Sequence, residues 1–378
     1  MILTIIIFIL TLLFLVVIHE LGHFLMAKKF GIKVEEFGFG IPPRAWGKKI
    51  GETLVSINWL PFGGFVKLLG EDEIDKNLLN NKRSFASQSV FKRIIVVVAG
   101  VAMNFILAFI LFYFILGFQG FKTSLPLLLD HQFVGVSQQN QISVFVADIS
   151  KDSPAEKANL KKGDILKAVN GVEIKESGQF IAKTKELTGQ ELTLTLTDQD
   201  GNNVKDVIIT PRQNPPEGEG PLGVSLVRVG VANLEYKTFS QKLFSGPVHS
   251  WNLIAYSGKI LGNLIGESFR TKDFTPVSHS VAGPVGITST VNTILTESVN
   301  PYLSYLNFIA LLSLNLAVMN VLPFPALDGG RLFFLLIEAI TRKKVHAGVE
   351  KWVHTIGMAI LLTLMLLVTF SDIKKFFP

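Results

Sequence analysis

The chain has no cysteine in 378 residues. That absence removes disulfides, thiolate metal sites, iron–sulfur clusters and cysteine nucleophiles together, so any bound metal has to be held by His, Asp or Glu. Charge is scarce as well: 17% of residues are Asp, Glu, Lys or Arg while 48% are apolar or aromatic, against roughly a quarter charged in ordinary soluble domains. Such a composition points to a membrane protein. The imidazole inventory is small too, comprising His19, His23, His131, His249, His279, His346 and His354.

What is present is long apolar runs. Residues 1–18 carry no charge before His19, residues 94–118 and 303–327 are uncharged, and 355–370 forms a shorter fourth run. A helix needs about 20 mostly apolar residues to cross a bilayer, so about four transmembrane helices are expected. A fifth stretch, 243–265, contains Lys259 and several glycines and reads as an amphipathic helix lying at the interface. The first run lacks the basic start and small-residue cleavage site of a signal peptide, and is expected to be retained.

The net charge of +6 is unevenly placed: residues 121–300 hold 17 basic and 18 acidic side chains, and the remainder of the chain 19 and 12. Basic clusters after the first run (Lys28 to Lys49) and before the fourth (Arg342 to Lys351) mark the cytoplasmic side, leaving both termini and the 121–300 region outside. Lys374 and Lys375, near the outer C-terminus, fit this less well. The charge thus records orientation and offers no case for nucleic acid.

The outer region reads as β-rich, with short strands at 144–149, 165–170, 191–198 and 204–211 and a helix at 180–187. SPAEKANLKKGDILKAVNG (153–171) resembles the signature of bacterial PDZ domains, with Asn159 where that pattern usually has Gly. GEGPLG (218–223) reads as a linker. The expected divisions are a first transmembrane helix over 1–24; a cytoplasmic-side, membrane-associated β-hairpin and loop region over 25–93; a second helix over 94–118; an extracytoplasmic region over 119–232 with a PDZ domain at about 133–213; a juxtamembrane amphipathic segment over 233–300; a third, Pro-broken transmembrane segment over 301–330; a cytoplasmic-side loop over 331–354; and a fourth helix with the C-terminus over 355–378.

His19-Glu20-Leu21-Gly22-His23 is H-E-x-x-H. On a helix the two histidines stand one turn apart on one face and can bind a single Zn²⁺, while Glu20 reaches the position where water would sit. Polar residues at the end of an apolar span are costly and are functional candidates by default. A catalytic zinc needs a third protein ligand, and Asp328 in Asn320-Val-Leu-Pro323-Phe-Pro325-Ala-Leu-Asp328-Gly-Gly is the best candidate. Depth supports the pairing. At 1.5 Å per residue an outward N-terminus puts His19 about 27 Å into a core of about 30 Å, and the third span also reaches Asp328 near its inner end. Taken alone, Asp328 is equally a helix cap at the membrane surface. Pro323 and Pro325 must break the helix there, which is tolerated only inside protein or beside water. Asn320 could bond an extended substrate backbone or a neighbouring helix. ETLVSINWLPFGGFVKL (52–68) reads as a hairpin around Pro61-Phe62-Gly63-Gly64, one edge of which is expected to add a substrate strand.

HELGH in a first span, LPFPALDGG in a later one, FKRIIVVVAGVAMNFILA (91–108), GPVGI (283–287) and one outward PDZ-like segment together resemble the site-2 protease family of intramembrane zinc metalloproteases, in its bacterial PDZ-containing branch. The resemblance implies a polytopic α-helical membrane protein of the bacterial inner membrane, with a membrane-associated β-hairpin and one extracytoplasmic PDZ domain. It implies His19, His23 and Asp328 as ligands of Zn²⁺, Glu20 as catalytic base, and Asn320, Pro323, Pro325, Phe62, Gly63 and Gly64 as substrate-contacting positions. Val101 departs from the family's usual Pro after Gly100. The implied substrates are single-span membrane proteins trimmed by an earlier protease, such as anti-sigma factors or signal-peptide remnants, and the PDZ domain would take peptide C-termini or exclude bulky outer domains. Two alternatives remain at this point. One is a non-catalytic PDZ-containing receptor with a vestigial metal site, which would be expected to lose Glu20 or Asp328. The other is an ion transporter, for which an inverted repeat would be expected.

Overall fold

The four apolar runs become helices in the computed structural model, three of them longer than the runs and the third ending early, at Val321; the structure describes residues 2–71, 81–174, 176–197, 204–273 and 275–376. Two compact units result, Met1–Ile115 with Leu261–Pro378, and Leu116–Ile260. Helix α1 (Ile2–Lys29) continues through HELGH and ends on Lys28 and Lys29, cations at the negative end of the helix dipole. Lys28 Nζ lies 2.7 Å from one oxygen of Glu52 and Arg83 2.5 Å from the other, and Arg83 and Lys28 together hold that carboxyl down at about 2.

Strands β1 (Val34–Ile50) and β2 (Thr53–Leu68) form a separate sheet. Glu36 lies opposite both Lys67 and Leu54, and Phe39 opposite both Gly64 and Ile57, whereas Arg44 to Ile50 face Asn58 to Thr53. This corrects the expected 52–68 hairpin. Its two runs flank the first half of β1 instead of pairing with each other. Gly38, Gly40, Pro42 and Pro43 break the apolar alternation that would have revealed β1. One of these breaks is structural: a Cβ on Gly38 would stand 2.4 Å from the Phe65 ring. The sheet therefore has one outer edge at residues 64–68 and another at 44–50. Near the second edge Trp46, Ile50, Ile57 and Trp59 are exposed.

Helix α2 (Val90–Phe118) crosses α1 where neither has a side chain in the way, since a Cβ on Gly22 would lie 2.2 Å from the Ala99 carbonyl oxygen. Ala27, Ile32, Val34, Leu68, Phe85, Val96 and Val97 pack together beside that crossing.

The second unit contains β3 (Lys122–Leu127), β4 (Ser137–Ile149), α3 (Pro154–Lys157), β5 (Ile165–Val169), β6 (Val172–Glu173), α4 (Ser177–Glu186), β7 (Leu192–Thr197), β8 (Val204–Ile209), β9 (Val224–Glu235), α5 (Phe239–Leu243) and the first part of α6 (Ser245–Thr271). The strands run β3-β9-β4-β5-β7-β8 with β6 on β5. Leu192, Leu194 and Leu196 alternate into a core with Val144, Phe180 and Ile209. The Ser153 hydroxyl accepts from the Glu156 N–H at 3.2 Å and starts α3. Asn159 adopts φ +55°, a left-handed conformation that Asn tolerates better than other non-glycine residues, which explains its place in a glycine position. GEGPLG is not a linker. Leu222 is buried in the core and Ser150 N–H donates to the Gly223 carbonyl at 2.8 Å. Asn252 on α6 bonds both the N–H and the C=O of Val134 at 2.9 Å, and the Tyr256 hydroxyl accepts from Leu128 N–H at 2.7 Å.

Beyond α6 come α7 (Thr275–Ser280), α8 (Pro284–Glu297), α9 (Pro301–Val321), α10 (Asp328–Thr341) and α11 (Ala347–Phe376). Asp372 near the end of α11 accepts from the N–H groups of Gly283 and Gly286 at 2.8 and 2.9 Å and caps α8, giving GPVGI a physical reason. The expected loop at 331–354 is corrected to most of α10, a short break over 342–346 and the start of α11. Its inner face is anchored by Leu335 and by Glu338, which meets Arg93 of α2 at 2.5 Å with both side chains buried. Among the described residues four helices, α1, α2, α9 and α11, are long and apolar enough to cross a membrane.

Burial pushes His249, whose Nδ1 lies 3.2 Å from the Tyr236 hydroxyl, down to about 4. Above pH 6.5 neither folded nor unfolded chain carries this charge; as pH falls from about 6.5 to about 4 the unfolded chain takes a proton that the folded one resists, so stability drops. Thermal unfolding at pH 7 and pH 5 should show a lower midpoint at pH 5, and His249→Asn should narrow the difference.

Candidate active site

The last turns of α1 aim His19 and His23 at one point because their positions differ by four residues. His19 Nε2 lies 2.9 Å and His23 Nε2 3.1 Å from Asp328 Oδ2, and the two nitrogens are 3.2 Å apart. Ligands at 2.0–2.1 Å from a tetrahedral metal stand about 3.3 Å from one another, so the three atoms occupy nearly the corners such an ion requires. Hydrogen bonding does not account for the Asp328 corner of the triangle: its Oδ2 is buried and lacks a bond of acceptable geometry. A shared cation fits this donor set. His23 Nδ1 lies 2.8 Å from the Val96 carbonyl, an outer partner that would orient the ring and leave Nε2 free as a ligand.

Close helix approach makes the triangle possible. A Cβ on Gly100 of α2 would stand 2.3 Å from His23 Nε2 and 2.9 Å from His19 Cε1. Asp328 arrives from the far end of the chain, where α9 stops at Val321 and α10 starts at Asp328. Gly329 lets α10 begin against the end of α9, since a Cβ there would meet the Leu322 carbonyl oxygen at 2.0 Å.

Glu20, His23 and Asp328 line a cavity of about 400 Å³ whose opposite wall is residues 65–68 of β2. The Glu20 Cγ would be 3.5 Å from a Cβ on Gly64, which puts Glu20 between the triangle and the free sheet edge. Arg331, one turn after Asp328, pairs with Glu71 just beyond that edge. Gly63 turns at φ +86° beside Ile41. The side chain of Phe62 lies outside the described residues. Pro325 packs against Gly357, Pro323 is exposed, and Asn320 is half-buried on the last turn of α9; neither Asn320 nor Pro323 lines the cavity. Sequence reasoning missed the roles of Gly22, Gly100, Val96 and the Arg331–Glu71 pair. Gly100 stood inside a quoted motif, but nothing in the sequence identifies a backbone carbonyl as an outer partner.

A methyl group at Gly100 has nowhere to go except into the imidazoles. Gly100→Ala is expected to weaken metal retention about 10- to 100-fold, the range for disturbed outer partners, while Gly117→Ala, placed near Phe121 at ordinary contact distance, should not; metal analysis after graded chelation measures both.

The model of peptidase family M50 matches residues 7–364. A Clostridium perfringens protein provisionally named a zinc metalloprotease is 35% identical over 361 residues, covering 95% of each chain. The regulator of sigma-W protease of Bacillus subtilis is 27% identical, covering 96% of each chain. A PDZ domain crystal structure from Listeria monocytogenes aligns at 21% identity over 26% of this chain and 94% of that one, with a TM-score of 0.20, too slight an overlap to identify the sheet domain. With relatives aligned end to end and the family match spanning both halves of the His–His–Asp triangle, the chain belongs to peptidase family M50 and is an intramembrane zinc metalloprotease of the site-2 type, acting on membrane-embedded substrates.

Proposed function

We propose that His19, His23 and Asp328 hold Zn²⁺ and that Glu20 is the catalytic base, a reading carried by the triangle of 2.9–3.2 Å contacts. Bound there, the ion would polarise the scissile carbonyl and acidify a water. The Glu20 carboxylate takes that water's proton and returns it to the departing amide nitrogen. Asn320 and the corner at Pro323 and Pro325 shape the approach of substrate to Asp328.

A helical peptide bond is shielded by its own hydrogen bonds, so the substrate has to unwind, and each freed backbone group left unmet in lipid costs several kcal/mol. Partners are available at residues 64–68, an outer edge lying along the same cavity as Glu20. In this reading the substrate adds to that edge as a strand, with Gly63 and Gly64 keeping the entrance clear and Phe62 at the turn. The edge belongs to the 34–68 sheet as paired in the structure, with β1 between the two runs of β2.

The 121–300 region faces outward and the metal site the cytoplasm of a bacterial inner membrane, by the distribution of basic residues. The sheet domain is a PDZ domain. Its support is the 153–171 signature together with the outer side of residues 224–229, where β9 has no pairing strand among the described residues although from Gly230 onward it pairs with β3. Such an edge beside a helix suits a peptide C-terminus. The substrates are single-span proteins already shortened outside the membrane by another protease, including anti-sigma factors and signal-peptide remnants.

Co-expression with a tagged single-span substrate tests the catalytic reading. Glu20→Gln should keep its zinc and lose about 10²- to 10⁴-fold in cleavage rate, the usual contribution of a general base; equal substrate loss in wild type and variant would refute it. Lys67→Pro, on the sheet edge, should impair cleavage with zinc content unchanged. Full cleavage by that variant would remove strand addition from the mechanism while leaving the metal chemistry intact.

A further inference from the structure

The segment joining α9 to Asp328 is held from an unexpected direction. Ala326 adopts φ +76°, a left-handed conformation that is strained for a non-glycine residue and persists only where its surroundings impose it. Its N–H donates to His354 Nδ1 on α11 at 2.9 Å. One turn along the same helix, Gly357 brings the α11 backbone against Pro325, since a Cβ there would lie 2.3 Å from Pro325 Cβ and 2.7 Å from its carbonyl oxygen. From the other side, a Cβ on Gly330 would meet the Phe324 carbonyl oxygen at 2.5 Å. Pro323 and Pro325 have no N–H to offer, and the N–H groups of Phe324 and Leu327 donate to the Leu322 and Phe324 carbonyls, which leaves Ala326 as the donor by which α11 can grip this corner. The Phe334 ring, 5.9 Å from the His354 ring, helps fix the imidazole.

We propose that His354 is a positioning residue of the protease, whose Nδ1 lone pair holds the Pro325–Ala326 corner and so sets where Asp328 presents its carboxylate. The proposal rests on the reading of Asp328 as a metal ligand. It makes α11, which supplies no ligand, part of the apparatus that shapes the metal site. The hydrogen bond requires an unprotonated Nδ1, so the proton of the neutral ring sits on Nε2.

The test uses the full-length, zinc-loaded protein and compares zinc retention under graded chelator, kcat and KM on a single-span substrate, and thermal unfolding. His354→Leu removes the acceptor. It should lower kcat about 10- to 100-fold, the range for an outer partner, and release zinc at lower chelator, with KM changed less than about twofold. His354→Asn places the acceptor Oδ1 near the position of Nδ1 and should stay within about threefold of wild type in kcat. Ala326→Gly relieves the left-handed conformation and should recover part of the loss when combined with His354→Leu. A His354→Asn variant as impaired as His354→Leu, a double variant with no recovery, or wild-type kcat in a folded His354→Leu would each overturn the proposal. Asp328→Asn separates this from the premise: unchanged zinc retention in that variant would refute the ligand reading itself.

Discussion

Side chains at positions 19, 23 and 328 can share one ion only if three helices meet with almost nothing between them. In hydrocarbon there is no water to squeeze out from between helices, so association depends on close van der Waals fit and on small residues that permit it. The protein meets this demand with glycine at each junction: Gly22 against the Ala99 carbonyl, Gly100 against both imidazoles, and Gly329 against the carbonyl at the end of α9. The buried Arg93–Glu338 pair then joins α2 to α10 below the site. Buried ion pairs are poor stabilisers in net terms but severe to break. Here the pair acts chiefly as a registration pin between the helix that supports His23 and the helix that begins with Asp328.

Two kinds of wall lie next to each other around the cavity. One wall is made of helices fixed by close backbone approach. The other is the outer run of a small sheet, residues 64–68, which has no second pairing strand among the described residues. The Arg331–Glu71 pair spans the two, one turn from Asp328 and just past Leu68. On the proposed strand addition, the 34–68 sheet would supply backbone partners for an unwound substrate within a few ångströms of Glu20 without adding another membrane span.

Legibility in the sequence followed the physics of each signal. Apolar runs and H-E-x-x-H are local patterns with fixed periods, so the four long apolar helices and the His pair could be read directly, and Asp328 is brought to that pair as expected. The 153–171 signature likewise located Ser153 and the φ-positive Asn159. What failed was non-local. β1 is interrupted by Gly38, Gly40 and two prolines, and its role depends on Phe65 crossing it, which no window of neighbouring residues shows. The GEGPLG stretch looked like a linker because glycine and proline dominate it, yet Leu222 within it is a core residue. Helix α10 was hidden by the basic run that follows it, although its apolar face and Glu338 are set by partners 245 positions away. The grip of His354 on Ala326 likewise joins residues whose sequence context gives no sign of each other.

The outer edge at residues 64–68, without a second strand among the described residues, would bear on the choice of bond if a substrate adds there. A strand repeats every two residues, and sliding its partner by one residue turns every side chain to the opposite face. On the proposed strand addition, a guest strand there would advance past Glu20 only in pairs of residues, about 6.4–6.8 Å at a time. The sheet would then work as a ruler with coarse gradations. Side-chain preferences of the substrate would fall on alternate positions, and secondary cuts would lie an even number of residues from the main one.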